Sequence, residues 1–145
     1  TGPGPRDYVA YTATLPEEKT VRAVAKELEK VLEMPDGVLR CTGNPEKAVR
    51  KIAVCTGAGA DFLSAAEEAG CDLLITGDVR YHEAREAEEM GFAILDAGHF
   101  WTERIFSSNM AEQLRDILSN RNKVQSPDDI SIFVSNAEKD PFSVF

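Results

Sequence analysis

Between Val49 and Leu95 the chain alternates short apolar runs with segments of helical period, and no other feature restricts the possible folds so narrowly. Ile52 to Cys55, Leu73 to Thr76 and Phe92 to Leu95 have the length and composition of buried strands. Asp61 to Ala69, which follows a Gly loop, and Arg80 to Met90 carry the helical spacing between them. Strands separated by helices of about ten residues require parallel crossover connections. The expected architecture is therefore α/β, a largely parallel sheet with helices on both faces in three αβα layers. A chain of 145 residues buries enough surface for one domain, 1–145, without staples.

The flanks are less regular. Residues 1–7 lack a starting Met, and 1–15 read as a loop or edge segment in which Tyr8 to Thr14 has the alternation of a strand. The expectation is that the chain begins inside a longer protein. Pro16-Glu17-Glu18 predicts the start of a helix to about Met34, with Val21, Val24, Ala25, Leu28, Val31 and Leu32 on one face. Pro35-Asp36-Gly37 ends it, Val38 to Cys41 is a short strand candidate, and Thr42-Gly43-Asn44-Pro45 is turn chemistry. After Leu95 a long helix is predicted from His99 to Leu118, with Ile105, Met110, Leu114, Ile117 and Leu118 as core positions. A polar loop, Asn120 to Asp129, then leads to the alternating Ile130 to Val134, expected as a last strand, and to an irregular tail.

The net charge of -9 argues against nucleic acid as a partner, because neutralising phosphates takes clustered Lys and Arg. No apolar run approaches the roughly 18 residues of a membrane helix, and no signal peptide is visible, so the expected location is cytoplasmic and no membrane partner is expected. Cys41, Cys55 and Cys71 are odd in number and form no C-x-x-C. Cys55 and Cys71 lie in or beside apolar runs and read as buried free thiols, which suits a reducing compartment.

Chemistry is concentrated where the last apolar run gives way to a helix, Ile94-Leu95-Asp96-Ala97-Gly98-His99-Phe100-Trp101-Thr102-Glu103. The carboxyl end of a strand is where α/β sheets usually bind ligands. His99 and Glu103 at i and i+4 share one helical face, with Cβ atoms roughly 5–6 Å apart, and can hold one metal ion. Two ligands are too few alone, since a catalytic metal takes about three plus an open position. Thr76-Gly77-Asp78-Val79-Arg80-Tyr81-His82 repeats the topology one unit earlier: Asp78 is either the N-cap of the next helix or, with His82, a lining of the same crevice. Gly57-Ala58-Gly59 makes a tight turn whose free N–H groups could hold a phosphate or carboxylate, although Phe62 stands where a dinucleotide loop needs Gly or Ala. The glutamates at 83, 86, 88 and 89 read as a solvated helix face. Ser64, Ser107 and Ser108 have no base partner in sequence.

Taken together, Ile52-Ala53-Val54-Cys55-Thr56-Gly57-Ala58-Gly59, Ile75-Thr76-Gly77-Asp78 with Tyr81-His82, Asp96-Ala97-Gly98-His99 with Glu103, and Asp140-Pro141-Phe142 resemble the carboxyl-terminal half of the NIF-three-like family, the GTP cyclohydrolase I type 2 homologues. The resemblance covers about residues 45–142, and residues 1–44 match loosely. It implies a NIF-three-like carboxyl-terminal domain, a dinuclear divalent-metal centre between two α/β halves, and a homo-oligomer, typically a hexamer. His99 and Glu103 match the family's carboxyl-terminal metal ligands; Asp78 and His82 match a motif near the cavity and stand as catalytic candidates, with Gly57 and Gly59 as the ligand-binding loop. The family's other ligands, a histidine pair and an aspartate of the amino-terminal half, have no counterpart here, where His82 and His99 are the only histidines. The implied function is half of a hydrolase holding two ions of Zn, Fe or Mn, acting on a small molecule such as GTP by opening its imidazole ring. Two other functions fit the same residues: a non-catalytic metal-binding or assembly module, and a nucleotide-binding domain built on the Gly57 loop.

Overall fold

The computed structural model describes residues 10–120 and 130–144. Residues 1–9, 121–129 and 145 lie outside the described residues, and with them the edge segment 1–7, the start of the strand expected at Tyr8 and most of the polar loop expected from Asn120 to Asp129. Strands β1 (Tyr11–Thr20), β2 (Arg40–Thr42), β3 (Ala48–Ala58), β4 (Leu73–Gly77) and β5 (Ala93–Asp96) form one sheet in the order β1-β3-β4-β5-β2. The three central strands are parallel, joined by α2 (Leu63–Glu68) and α3 (Tyr81–Glu89), and β1 and β2 close the edges antiparallel.

Period-two alternation sorts the strand residues onto two faces. Ala53, Leu74 and Ile94 pack with Leu63 and Ala66 of α2 and Ala87 of α3. Val49, Leu73, Ile75, Ala93 and Leu95 turn the other way, against Val21 and Val24 of α1 (Val21–Val31). The αβα layering expected from the sequence is therefore present. Because both faces of β4 and β5 are covered, each is buried at every position.

Several boundaries depart from the sequence expectation. Pro16-Glu17-Glu18 does not open α1 but lies in β1, an edge strand whose register shifts between Thr14 and Lys19. An edge strand with a bulge tolerates proline's missing donor. Helix α1 starts at Val21, capped by Thr20, whose Oγ1 accepts from the Ala23 N–H at 3.1 Å. Val31 faces solvent, 74% exposed, rather than the core. The short strand expected at Val38 to Cys41 is Arg40–Thr42. A 3₁₀ turn (Ala60–Phe62) precedes α2.

The long carboxyl-terminal helix is two helices, α4 (His99–Glu103) and α5 (Ile105–Asn120), separated at Arg104. The expected core positions of α5 are not buried: Ile105, Met110, Leu114 and Ile117 are exposed, Leu118 is half-buried, and Ala111 is the buried apolar residue. Ile130 to Val134 joins no strand ladder. That segment instead runs beside α5, where the Ile132 carbonyl accepts from Arg115 Nη2 at 2.8 Å. Cys55 and Cys71 are buried free thiols, as expected, and Cys41 is exposed.

Candidate functional site

The carboxyl ends of β3, β4 and β5 lie side by side, and each contributes to one group of polar side chains. Ala58 of β3 is in register with Gly77 of β4, and Thr76 of β4 with Asp96 of β5. The turn after β5 is built by Asp96, whose Oδ1 accepts from the Gly98 N–H at 3.0 Å, an aspartate turn of the usual local kind. Its Oδ2 accepts from the Val79 N–H at 3.2 Å and pairs with the Arg40 guanidinium, so one buried carboxylate ties the loops after β4 and β5 to β2.

His99 opens α4 and Glu103 ends it, and the i,i+4 geometry expected from the spacing is realised: His99 Nε2 and Glu103 Oε1 are 3.2 Å apart. On the opposite edge of the ring, His99 Nδ1 is 3.0 Å from Asp78 Oδ2. A carboxylate only accepts and a neutral ring carries one proton, so His99 can donate to one of the two carboxylates and turns the electron pair of its other nitrogen toward the second. Two electron-pair donors facing each other at that distance repel unless a proton or a cation lies between them. The donor set is one that divalent metals take. Because Asp78 and Glu103 sit on opposite ring edges, the three side chains do not converge on one point, and among the described residues no group of three His, Cys, Asp or Glu could hold a metal ion.

Gly57 forms the floor beneath the pair. With φ +65°, it places its backbone so close that a Cβ would lie 2.8 Å from Glu103 Oε1 and 3.1 Å from His99 Nε2. Its N–H donates to Thr102 Oγ1 at 3.0 Å, and the Gly59 N–H donates to Thr76 Oγ1 at 2.9 Å. Both donors expected to be free for a phosphate are thus used inside the fold, and the tight turn expected as the plainer alternative is instead the end of β3, with Gly57 and Ala58 in the strand past a register shift against β4 and Gly59 leading into the 3₁₀ turn. Thr102 and Thr76, both buried, are the braces that the sequence did not single out.

Asp78 is not the N-cap of α3. Arg80 holds that position, and Glu83 Oε2 accepts from its N–H at 2.7 Å. Burial alone would push the Glu83 carboxyl up, but the Arg80 N–H and guanidinium outweigh it and hold Glu83 below its ordinary value. His82 is exposed on the first turn of α3 and is not among the residues lining the large cavity beside His99. That cavity, about 1340 Å³, includes Arg40, Asp78, His99, Glu103, Arg104 and Asp140 in its wall. Trp101, 9% exposed, donates from Nε1 to Asp140 Oδ2 at 2.8 Å and so fastens the tail along one side of it. Arg104 lies over the Trp101 ring, 5.2 Å from its centroid.

The family model described as Duf34/NIF3 (NGG1p interacting factor 3) matches residues 7–141, so the likeness extends well beyond the 45–142 expected from the motifs. A Clostridium perfringens protein named GTP cyclohydrolase 1 type 2 homolog is 34% identical over 134 residues, covering 92% of this chain and 47% of the relative. One of the same name from Halalkalibacterium halodurans is 32% identical over 129 residues, covering 89% of this chain and 32% of the relative. The chain thus spans half or less of the length of these relatives. Among solved structures, a Bacillus cereus protein related to NIF3 superposes with a TM-score of 0.82 at 28% identity, covering 92% of this chain and 35% of that one.

Proposed function

The chain belongs to the Duf34/NIF3 family, and on that premise we propose that it supplies the carboxyl-terminal half of a dinuclear divalent-metal hydrolase centre, with His99 and Glu103 as its ligands. The strongest support is the approach of His99 Nε2 to Glu103 Oε1, 3.2 Å, over a glycine whose missing side chain leaves them room. Two ligands leave the centre incomplete, which agrees with a chain spanning 47% of the C. perfringens relative. Imidazole together with carboxylate suits Zn, Fe or Mn better than Mg. When bound, such an ion supplies Lewis acidity and activates water near neutral pH.

The chain's own residues hold and orient. His99 and Glu103 would hold one ion at the strand ends, and Arg104 on the cavity wall offers a cation to an anionic small molecule. GTP, opened at its imidazole ring, is the substrate that the relatives' name suggests. A cavity of about 1340 Å³ exceeds the roughly 300–1,000 Å³ of a closed small-molecule site, as a half-built site would. Phe106, Met110, Leu114 and Ile117, exposed along α5, support assembly as a homo-oligomer, with a hexamer as the family expectation. A single monomeric boundary in sedimentation velocity at high concentration rules that assembly out.

A second class of function, a metal-binding or assembly module without turnover, is favoured by the same two-ligand count. A nucleotide loop at Gly57 and Gly59 has less support, since Thr102 and Thr76 take their N–H groups. The test is metal content by elemental analysis after anaerobic purification, with formate release from GTP, for a polypeptide of the relatives' full length and its His99→Ala variant. About two metals per chain are expected in the first, with metal and formate both lost in the second. A metal-free protein, or one that keeps its metal without His99, sinks the ligand assignment. Metal that depends on His99 without formate release supports the module.

A further inference from the structure

We propose that Asp78 is the positioning residue for His99, holding the proton on Nδ1 so that Nε2 is always the electron-pair donor on the Glu103 side. The proposal rests on reading His99 and Glu103 as the metal-ligating pair. It is carried by three observations. First, Asp78 Oδ2 and His99 Nδ1 are 3.0 Å apart although 21 residues separate them in sequence. Second, the carboxylate has no capping duty, because Arg80 and Glu83 close the start of α3 without it. Third, Asp78 keeps a left-handed backbone, φ +54°, a conformation that costs most residues roughly 1–2 kcal/mol and that aspartate tolerates better than most. The next residue is pinned on both sides: the Val79 N–H donates to Asp96 Oδ2 at 3.2 Å, and its carbonyl accepts from Arg40 Nη2 at 3.3 Å. That frame fixes where the Asp78 side chain leaves the loop.

A carboxylate on the far nitrogen does two things for a ligating histidine: it fixes ring orientation and tautomer, and it raises the basicity of the ligating nitrogen. A free imidazole does neither, since its proton moves between the two nitrogens. Asp78 itself lies on the wrong edge of the ring to share the ion that Nε2 would bind. Its contribution is made through His99.

The experiment uses this chain with ¹⁵N-labelled histidine, metal-free and in alkaline solution where histidine is neutral, comparing it with Asp78→Gly by long-range ¹H–¹⁵N correlation. Glycine accepts φ +54° without strain, so the variant should fold, which its thermal melt checks. The expected result is the Nδ1–H tautomer for His99 in the parent and a shift toward Nε2–H in the variant, while the exposed His82 reports the same pattern in both. A parent His99 that is Nε2–H, or a pattern unmoved in Asp78→Gly, overturns the proposal. In the second arm, Zn²⁺ affinity measured by chelator competition should fall about 10- to 100-fold in the variant, and an unchanged affinity likewise overturns it. If the tautomer shifts as expected but neither protein binds Zn²⁺, the positioning of His99 by Asp78 stands and the ligand assignment is what fails.

Discussion

Replacing Gly57 with alanine separates the needs of the fold from those of the His99–Glu103 pair, because the chain contains its own control. Gly57 and Gly70 both have a positive φ, +65° and +70°, but a Cβ at Gly70 meets nothing within 4 Å. Alanine at a positive φ costs roughly 1–2 kcal/mol, a fall in Tm of about 3–8 °C for a chain of this size. Only at position 57 does the new methyl meet the site, 2.8 Å from Glu103 Oε1 and 3.1 Å from His99 Cε1 and Nε2. Normal contact is roughly 3.5 Å, so the carboxylate must retreat by about 0.5 Å or more, the tolerance within which binding groups have to be held. Both side chains are half-exposed and can swing into solvent at little cost to the fold. The expected outcome is therefore similar loss of stability in Gly57→Ala and Gly70→Ala, within about 1 kcal/mol, with Zn²⁺ affinity reduced at least about tenfold in the first alone. Thermal melts and chelator competition read the two quantities. Equal metal affinity in the two variants refutes the argument, for it means that the pair does not rest against Gly57.

Two further outcomes follow from groups outside the pair. Burial would raise the Asp72 carboxyl, but the N–H groups of Lys51 and Arg50, which it accepts at 2.8 and 2.9 Å, and the charges of Lys47 and Lys51 hold it below its ordinary value. A depressed folded value gives stability that is present above the unfolded value, about 3.9, and lost as pH falls through the folded one. Asp72→Asn should thus be less stable at neutral pH and lose less on acidification, with Glu83 supplying part of the remaining acid limb; denaturant melts from about pH 2 to 6 check it, and parallel curves contradict it. Trp101 is the only tryptophan, so its emission reports on the tail it holds. Asp140→Ala removes the acceptor of its Nε1–H and of the Phe142 N–H, and should shift the emission to the red at a cost of about 1–3 kcal/mol; an unmoved spectrum shows that the tail is held elsewhere.

What the sequence made legible is what local periodicity encodes. Strands β4 and β5 and helices α2 and α3 were placed to within a residue or two, because burial on both faces leaves uninterrupted apolar runs between amphipathic helices, whereas β3, expected at Ile52 to Cys55, extends over Ala48–Ala58, where alternate positions are exposed and the apolar run breaks off. His99 and Glu103 were legible for a related reason: the break at Asp96-Ala97-Gly98 marks a strand end, and spacing alone puts the pair on one face. Pro16-Glu17-Glu18 misled because a proline before acidic residues is also how helices begin, and only the pairing of β1 with β3 shows an edge strand there. The apolar stripe of α5 has the period of a core face, but period says that a face is to be covered without saying by what; Met110, Leu114 and Ile117 face outward among the described residues. Ile130 to Val134 has strand alternation, but a strand also needs a neighbour, and it has none in the sheet. The contact between Asp78 and His99 was the least legible, since a separation of 21 residues carries no local signal.

The site depends on sheet register more than on any one loop. Gly57 lies near the end of β3, Asp78 follows β4 and His99 follows β5, so the pairing of Ala58 with Gly77 and of Thr76 with Asp96 decides whether Gly57, Asp78 and the His99–Glu103 pair meet. A slip of one residue between β4 and β5 would move the loops by roughly 3.3 Å along the strand and turn buried side chains to the wrong face. Two-sided burial forbids that slip, because Leu74 and Ile94 pack on one side while Leu73, Ile75, Ala93 and Leu95 pack on the other. The same apolar runs that make the fold legible therefore hold the polar groups in place, and the buried Thr76, Asp96 and Thr102 carry that order across to the loops. Core substitutions that keep volume and register should leave the His99–Glu103 geometry intact, whereas loss of one of these three braces should loosen it while the sheet remains.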